Sequence, residues 1–237
     1  MVTVKVHDSI FKNITGLIFD KDGTLADSHL YLRELAQKRA RLIDAQIPGV
    51  GEPLLMSFGL LDGQLDPMGL MAVGSSQENA IAAAAYIAET GRSWFESLEI
   101  AKKAFKEAEI VMGDRSETSG LFAGSLAVIK ACHGAGLKLG ILSMDSTPNV
   151  EKFVATHQLE PYIQLEMGAE SGLKPDPNLF LKACAELGTE ASQTLMVGDA
   201  PGDIQMAKNA GAAGTIGICW GNSSAPQLQG ADVRSPP

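Results

Sequence analysis

The sequence predicts an α/β protein: a doubly wound, Rossmann-like parallel sheet with an α-helical cap inserted into it. Three observations lead there. Short, apolar, β-rich runs end abruptly in polar or small residues, at Ile14–Phe19, Leu137–Leu142, Tyr162–Met167, Thr194–Val197 and Thr215–Cys219. Runs of that length suit strands buried on both faces of a parallel sheet. Helical patterns separate the later runs, and strand alternating with helix implies right-handed crossovers. The first run breaks this rhythm, because about ninety mostly helical residues follow it before the next buried strand.

In chain order, the run at Ile14–Phe19 enters Asp20, Asp22 and the turn pair Gly23-Thr24. A helix is expected over Asp27–Gln46, with Leu30, Leu35, Leu42 and Ile43 among charges. Leu54–Gly74 is rich in Gly, Pro and Met and has no clear period. Ser75 to Glu78 and Ser93 to Glu96 have the spacing of capping boxes, each opening a helix. Trp94 and Phe95 are expected to pack beneath this insert. The return segment "MGDRSETSG" is polar and holds two glycines, as a hinge allows. Residues 26–118 are therefore assigned to the cap, and residues 1–25 and 119–237 to the core. Helices follow at Leu121–His133, at Pro148–His157 behind Ser146-Thr147, at Pro177–Leu187 between Asp176 and Gly188, and at Ile204–Ala210 before Gly211.

The chain of 237 residues is 45% hydrophobic, enough for one large core domain with a smaller one inserted. Its net charge of −9 repels polyanions and argues against nucleic-acid binding. The cap has nine Lys and Arg against fourteen Asp and Glu, so no basic lid is implied. Arg33, Arg92 and Lys102 read as members of solvated charged faces. Cys132, Cys184 and Cys219 are odd in number and far apart, and read as small buried hydrophobes in a reducing compartment. The N-terminus lacks the apolar core of a signal peptide, and no stretch approaches the length of a membrane span. The cytoplasm is the expected location. The oligomeric state is left open between monomer and homodimer.

In an open α/β sheet, ligands bind outside the carboxyl ends of the strands. Asp20 and Asp22 stand at the end of the first run, Ser143 at the end of "GILS", and Asp199 and Asp203 in "VGDAPGD". Lys174 follows the third run, in "GLKPDPNLF". Carboxylates converging there make a hard, oxygen-rich site suited to Mg²⁺, which binds substrate phosphate while keeping several waters. Ser143 and Lys174 then offer a hydrogen bond and a positive charge to that phosphate. Each residue alone is an ordinary turn or cap residue. Their joint occurrence in order, each at or just beyond a strand end, carries the reading.

The segments "FDKDGTLADS", "GILS", "GLKPDPNLF" and "VGDAPGDIQMAKNAGAAGTIGICWG" resemble the haloacid dehalogenase-like hydrolases, in the phosphoglycolate phosphatase-like branch with a helical cap. The resemblance covers residues 10–25 and 119–222; the cap matches in position and helical character only. It implies a Mg²⁺-dependent phosphatase acting on a small phosphorylated metabolite. Asp20 would be the nucleophile and form an aspartyl-phosphate. Asp22 would be the general acid/base, with its backbone carbonyl on the metal. Ser143 and Lys174 would hold the phosphoryl oxygens, and Thr24 would add a donor to the phosphate loop. Asp20 and Asp199 would bind Mg²⁺, and Asp203 would support it directly or through water. Phosphomutase and dehalogenase chemistry occur on the same fold, though dehalogenation needs no acid such as Asp22. A phospho-accepting receiver module is the alternative of another class; the long insert and the late "GDAPGD" speak against it.

Three departures stand out. Lys21 replaces the usual apolar residue, and in an extended segment it would point away from Asp20 and Asp22, either as a core-edge or surface lysine or as a cation that touches substrate. Met144 stands where many relatives carry Asn. The chain stops at "GADVRSPP", where relatives continue with a strand and a helix.

Overall fold

The computed structural model describes residues 1–113, 119–219 and 225–235. It divides into two compact units, Met1–Asp27 with Gly120–Pro237, and Ser28–Ser119. The chain begins as a hairpin, β1 (Val2–Val6) against β2 (Ser9–Ile14), and then forms β3 (Gly16–Phe19) of the main sheet. The expected first strand is thus split at Thr15. The hairpin lay unread in the alternation of Val2, Val4 and Val6, which with Phe11 pack on the core of the first unit.

The second unit holds α1 (His29–Asp44), α2 (Gly51–Ser57), a short hairpin of β4 (Leu60–Leu61) and β5 (Gln64–Leu65), α3 (Leu70–Val73), α4 (Ser76–Ala88) and α5 (Trp94–Met112). The segment without clear period therefore contains two short helices and a hairpin. At Ser75 the capping box is complete: its hydroxyl accepts the Glu78 amide, and Glu78 accepts the Ser75 amide at 2.8 Å. At Ser93 the hydroxyl accepts the Glu96 amide. Leu35, Ile43, Phe58, Ile87 and Phe105 centre this unit's own core. Buried Arg39 lies 4.0 Å over the Phe105 ring and pairs with Glu109 at 3.1 Å. Trp94 and Phe95 do not pack beneath the unit; they are 43% and 80% exposed. They open α5, where Phe95 lies off the buried stripe of Ser97, Ala101, Ala104 and Ala108 and Trp94 stands at the helix's first position.

The first unit continues with α6 (Ser125–Gly134), β6 (Lys138–Leu142), α7 (Thr147–Thr156), β7 (Leu165–Met167), α8 (Pro177–Leu187), β8 (Thr194–Gly198), α9 (Pro201–Asn209), β9 (Gly214–Ile218) and β10 (Val233–Ser235). Six parallel strands form one sheet in the order β10-β9-β8-β3-β6-β7. The alternation of side chains along β3 sorts the two faces. Leu17 and Phe19 join residues of α6 and α7, including Ile129, Val150 and Phe153. Ile18 joins residues of α8 and α9, including Phe180, Ala183 and Met206. Such helical cover on both faces is what a buried parallel sheet requires. Val233–Ser235 pairs with β9 as the edge strand of the sheet.

The exit and return segments pair with each other: Asp27 N–H donates to Gly120 O at 2.9 Å, and Phe122 N–H to Leu25 O at 2.9 Å. Much of the proposed hinge, residues 114–118, lies outside the described residues, as do Trp220 and Gly221 of the last motif. The cysteines are free, with Cys184 and Cys219 buried and Cys132 half-buried. Among the described residues, no helix is long and apolar enough to cross a membrane.

Candidate active site

β3 lies between β6, which follows it through the second unit, and β8, which returns on its other side. The strand order reverses there, and such a switch point opens a crevice at the carboxyl ends. Asp20 extends the ladder one residue beyond β3, its amide donating to Val197 O at 2.8 Å. The chain then closes on itself. The Lys21 carbonyl accepts the amides of Leu25 at 2.9 Å and Ala26 at 2.8 Å, and Gly23 adopts φ +77°. A Cβ on Gly23 would overlap the Asp199 carboxylate, so glycine is needed for space as well as conformation. A Cβ on Gly198 would likewise overlap Asp203.

These close approaches gather four charged groups. One carboxylate oxygen from each of Asp20, Asp199 and Asp203 lies within 4.8 Å of the others. The Lys174 ammonium sits 2.6 Å from Asp20 Oδ1, a hydrogen bond, and 2.6 Å from Asp203 Oδ1, an ion pair outside hydrogen-bonding geometry. Asp203, at the start of α9, is fully buried, and its Oδ2 accepts the Ala200 amide at 3.2 Å. Thr24 donates its hydroxyl to Asp199 Oδ1 at 3.0 Å. This bond ties Thr24 to a carboxylate of the cluster. Ser143 is buried just past β6, and its hydroxyl accepts the Asp145 amide at 3.1 Å. Met144 accepts the Lys174 amide on its sulfur at 3.4 Å, which fixes the loop that carries the ammonium.

The electrostatics follow from three carboxylates sharing one buried ammonium. Burial raises the Asp20 carboxyl to about 7; Lys174 opposes the rise, and the charges of Asp203 and Asp22 add to it. Asp199 is pushed well above the usual carboxylate range by burial and then by Asp20 and Asp203. For Lys174, burial works against the charge, but Asp20 and Asp203 outweigh it and hold the ammonium above its ordinary range. Like charges 4 Å apart repel by roughly 4 kcal/mol at an effective dielectric near 20. A divalent cation removes that repulsion. The donors fit a hard one: the cluster is all carboxylate oxygen, without His or Cys, and glycine backbones press on two of its members.

The expected orientation of Lys21 is corrected. Its ammonium contacts Asp22 Oδ2 at 2.7 Å and Asp145 Oδ2 at 2.9 Å, and the residue is 1% exposed. Alternation fails because the chain turns directly after Asp20. Asp145 was overlooked in the sequence. The available signal was Lys21 itself, since a lysine between two aspartates in a buried loop needs further compensation.

The haloacid dehalogenase-like hydrolase model matches residues 14–211. The phosphoglycolate phosphatase of Salmonella typhi is 28% identical over 215 residues, covering 89% of this chain and 83% of that protein. A protein of Dickeya dadantii named "Probable phosphatase IndB" is 29% identical over 230 residues, covering 92% and 86%. The crystal structure of a predicted phosphoglycolate phosphatase from Haemophilus somnus matches with a TM-score of 0.66 at 20% identity, covering 94% of this chain and 95% of that one, a likeness of fold. With the family model spanning the chain from β3 through α9, and with it the strand-end carboxylates and Lys174, the chain belongs to the haloacid dehalogenase-like hydrolases.

Proposed function

We propose that the protein is a Mg²⁺-dependent phosphatase that hydrolyses a small phosphorylated metabolite through an aspartyl-phosphate on Asp20. The observation that carries the reading is the convergence of Asp20, Asp199, Asp203 and Lys174 at the carboxyl end of the sheet. Relatives named phosphoglycolate phosphatase and phosphatase support the substrate class, a phosphate monoester of phosphoglycolate-like or sugar-phosphate size.

Asp20, Asp199 and Asp203, with the Asp22 backbone carbonyl, would hold Mg²⁺. When bound, the ion neutralises carboxylate charge and offsets charge on the phosphoryl oxygens. The chain supplies the rest. An Asp20 carboxylate oxygen attacks phosphorus, and the bond from phosphorus to the leaving oxygen breaks. Asp22 gives its proton to that oxygen, then takes one from the water that attacks the phosphorus of the aspartyl-phosphate. Inorganic phosphate leaves and Asp20 is restored. Lys174 compensates charge on the phosphoryl group and keeps Asp20 in line. Ser143, with a lone pair occupied by the Asp145 amide, directs its proton to a phosphoryl oxygen. Charge placement of this kind provides most of the catalysis of a loose phosphoryl transfer.

The second unit, residues 28–119, serves as the cap that selects the substrate. The protein works in the cytoplasm on free metabolites, without nucleic acid or membrane. The test is phosphate release across a panel of phosphorylated metabolites, with isomerised product measured in parallel. Phosphate release that depends on Mg²⁺ and is lost in Asp20→Asn supports the reading. Isomerisation without phosphate release would replace it with a phosphomutase.

A further inference from the structure

Lys21 is among the largest fully buried side chains of the molecule, and the chemistry proposed above gives it no part. Its ammonium joins two carboxylates, Asp22 at 2.7 Å and Asp145 at 2.9 Å, and lies 5.9 Å from the centre of the Phe153 ring. Burying an ammonium costs several kcal/mol unless opposite charge surrounds it closely. An apolar residue would fill the position at lower cost. The arrangement therefore does something that packing alone does not require.

The path from Asp145 shows what that is. Asp145 Oδ1 accepts the Ser146 amide at 2.8 Å and the Asn149 side-chain amide at 2.7 Å, both at the start of α7. The Asp145 carbonyl accepts the Ala169 amide at 2.9 Å, and its own amide donates to Ser143 Oγ at 3.1 Å. A Cβ on Gly168 would collide with the backbone of residues 145–147, so the loops after β6 and β7 are pressed together. Asp145 is thus anchored on two elements. Lys21 is anchored through Asp145, and Asp22 through Lys21. Asp22 itself belongs to a short loop that turns at Gly23, and Lys21 ties its carboxyl to these anchored loops.

We propose that Lys21 and Asp145 are positioning residues that fix the Asp22 carboxyl for proton transfer. Lys21 holds Oδ2 and so sets the orientation in which the carboxyl meets the reacting oxygens. The same network ties the Ser143 hydroxyl to the Asp22 carboxyl, so phosphate contact and proton transfer share one frame. The proposal rests on Asp22 being the general acid/base of the proposed function.

The test compares an alkyl phosphate, whose leaving group needs a proton, with p-nitrophenyl phosphate, whose leaving group needs little. Lys21→Met and Asp145→Asn are each measured alone and combined with Asp22→Asn, at saturating Mg²⁺, with folding checked by circular dichroism. The expected result is a loss of kcat of about 10- to 100-fold on the alkyl phosphate, the range for a misplaced catalytic group. The loss on p-nitrophenyl phosphate should be much smaller. In the Asp22→Asn background neither change should cost anything further. Should Lys21→Met not fold, Asp145→Asn decides alone, since its side chain is partly solvated and its shape is kept. Equal losses on both substrates, or losses that persist in the Asp22→Asn background, would overturn the proposal. If Asp22→Asn itself lowers both substrates equally, the acid role fails and the positioning proposal falls with it. A selective Asp22→Asn beside unselective Lys21 and Asp145 variants overturns the positioning proposal alone.

Discussion

Replacing Asp20 by Asn should destroy turnover and make the metal-free protein more stable. In the folded state the Asp20 carboxyl is raised from 3.8 to about 7, chiefly by burial. At about 1.36 kcal/mol for each tenfold change in proton affinity, the ionised form costs about 4 kcal/mol of folding free energy. The attraction of Lys174 is already contained in that balance. For an acid whose affinity for protons rises on folding, the unfolded state binds fewer protons. The penalty is therefore absent below about pH 4, grows through about pH 7 and is complete above it. Asparagine mimics the protonated form and can still accept from Lys174, so it removes the penalty. At pH 8, in chelator, Asp20→Asn should unfold roughly 8–16 °C above the parent protein, taking about 2–4 °C per kcal/mol for a chain of this size. At pH 4 the two should melt together. Thermal unfolding by circular dichroism at both pH values reads this directly. A variant that melts below the parent at pH 8 would refute the electrostatic account of the cluster. A variant that keeps its turnover would remove Asp20 from the chemistry.

Other outcomes follow from the same geometry. Saturating Mg²⁺ should raise the melting temperature of the parent protein, because the ion binds only the assembled cluster, and it should do so much less in Asp199→Ala; equal shifts would move the metal elsewhere. Chelation should stop phosphate release and Mg²⁺ restore it, with Ca²⁺ a poor substitute because its larger, more flexible coordination would draw Asp20 out of line; full activity after exhaustive chelation would contradict the metal assignment. Asp22→Asn should slow alkyl phosphate hydrolysis by about 10²–10⁴ and p-nitrophenyl phosphate far less, as read from steady-state rates on both. Replacing residues 28–119 by a short linker should leave weak hydrolysis of small activated phosphates and erase the ranking among natural ones; an unchanged rank order of kcat/KM would place specificity in the core.

The sheet was legible because its strands are continuous apolar runs ending in polar residues, as at Leu139–Leu142 before Ser143. The site was legible because a switch point forces strand ends together, and Asp20, Asp199, Asp203 and Lys174 follow from that placement alone. The N-terminal hairpin was missed although Val2, Val4 and Val6 alternate, because its turn at His7-Asp8 lacks glycine, the usual hairpin signal. The edge strand Val233–Ser235 is too short to show a period. Lys21 was misplaced because alternation assumes a strand that continues, whereas three amides fold back onto its carbonyl. Asp145 was overlooked for a related reason. It meets Lys21 from 124 residues away, and a pairing of that separation leaves no local trace.

The central claim is that a phosphoryl group passes through Asp20. Single-turnover reactions with a phosphate monoester and Mg²⁺, quenched in acid within milliseconds and digested at low pH, can be examined by peptide mass spectrometry. A transient phosphoryl adduct on Asp20, rising and falling within one turnover and missing from Asp20→Asn, is the predicted result. Rapid turnover with no adduct at any time, or an adduct on another residue, would contradict the account.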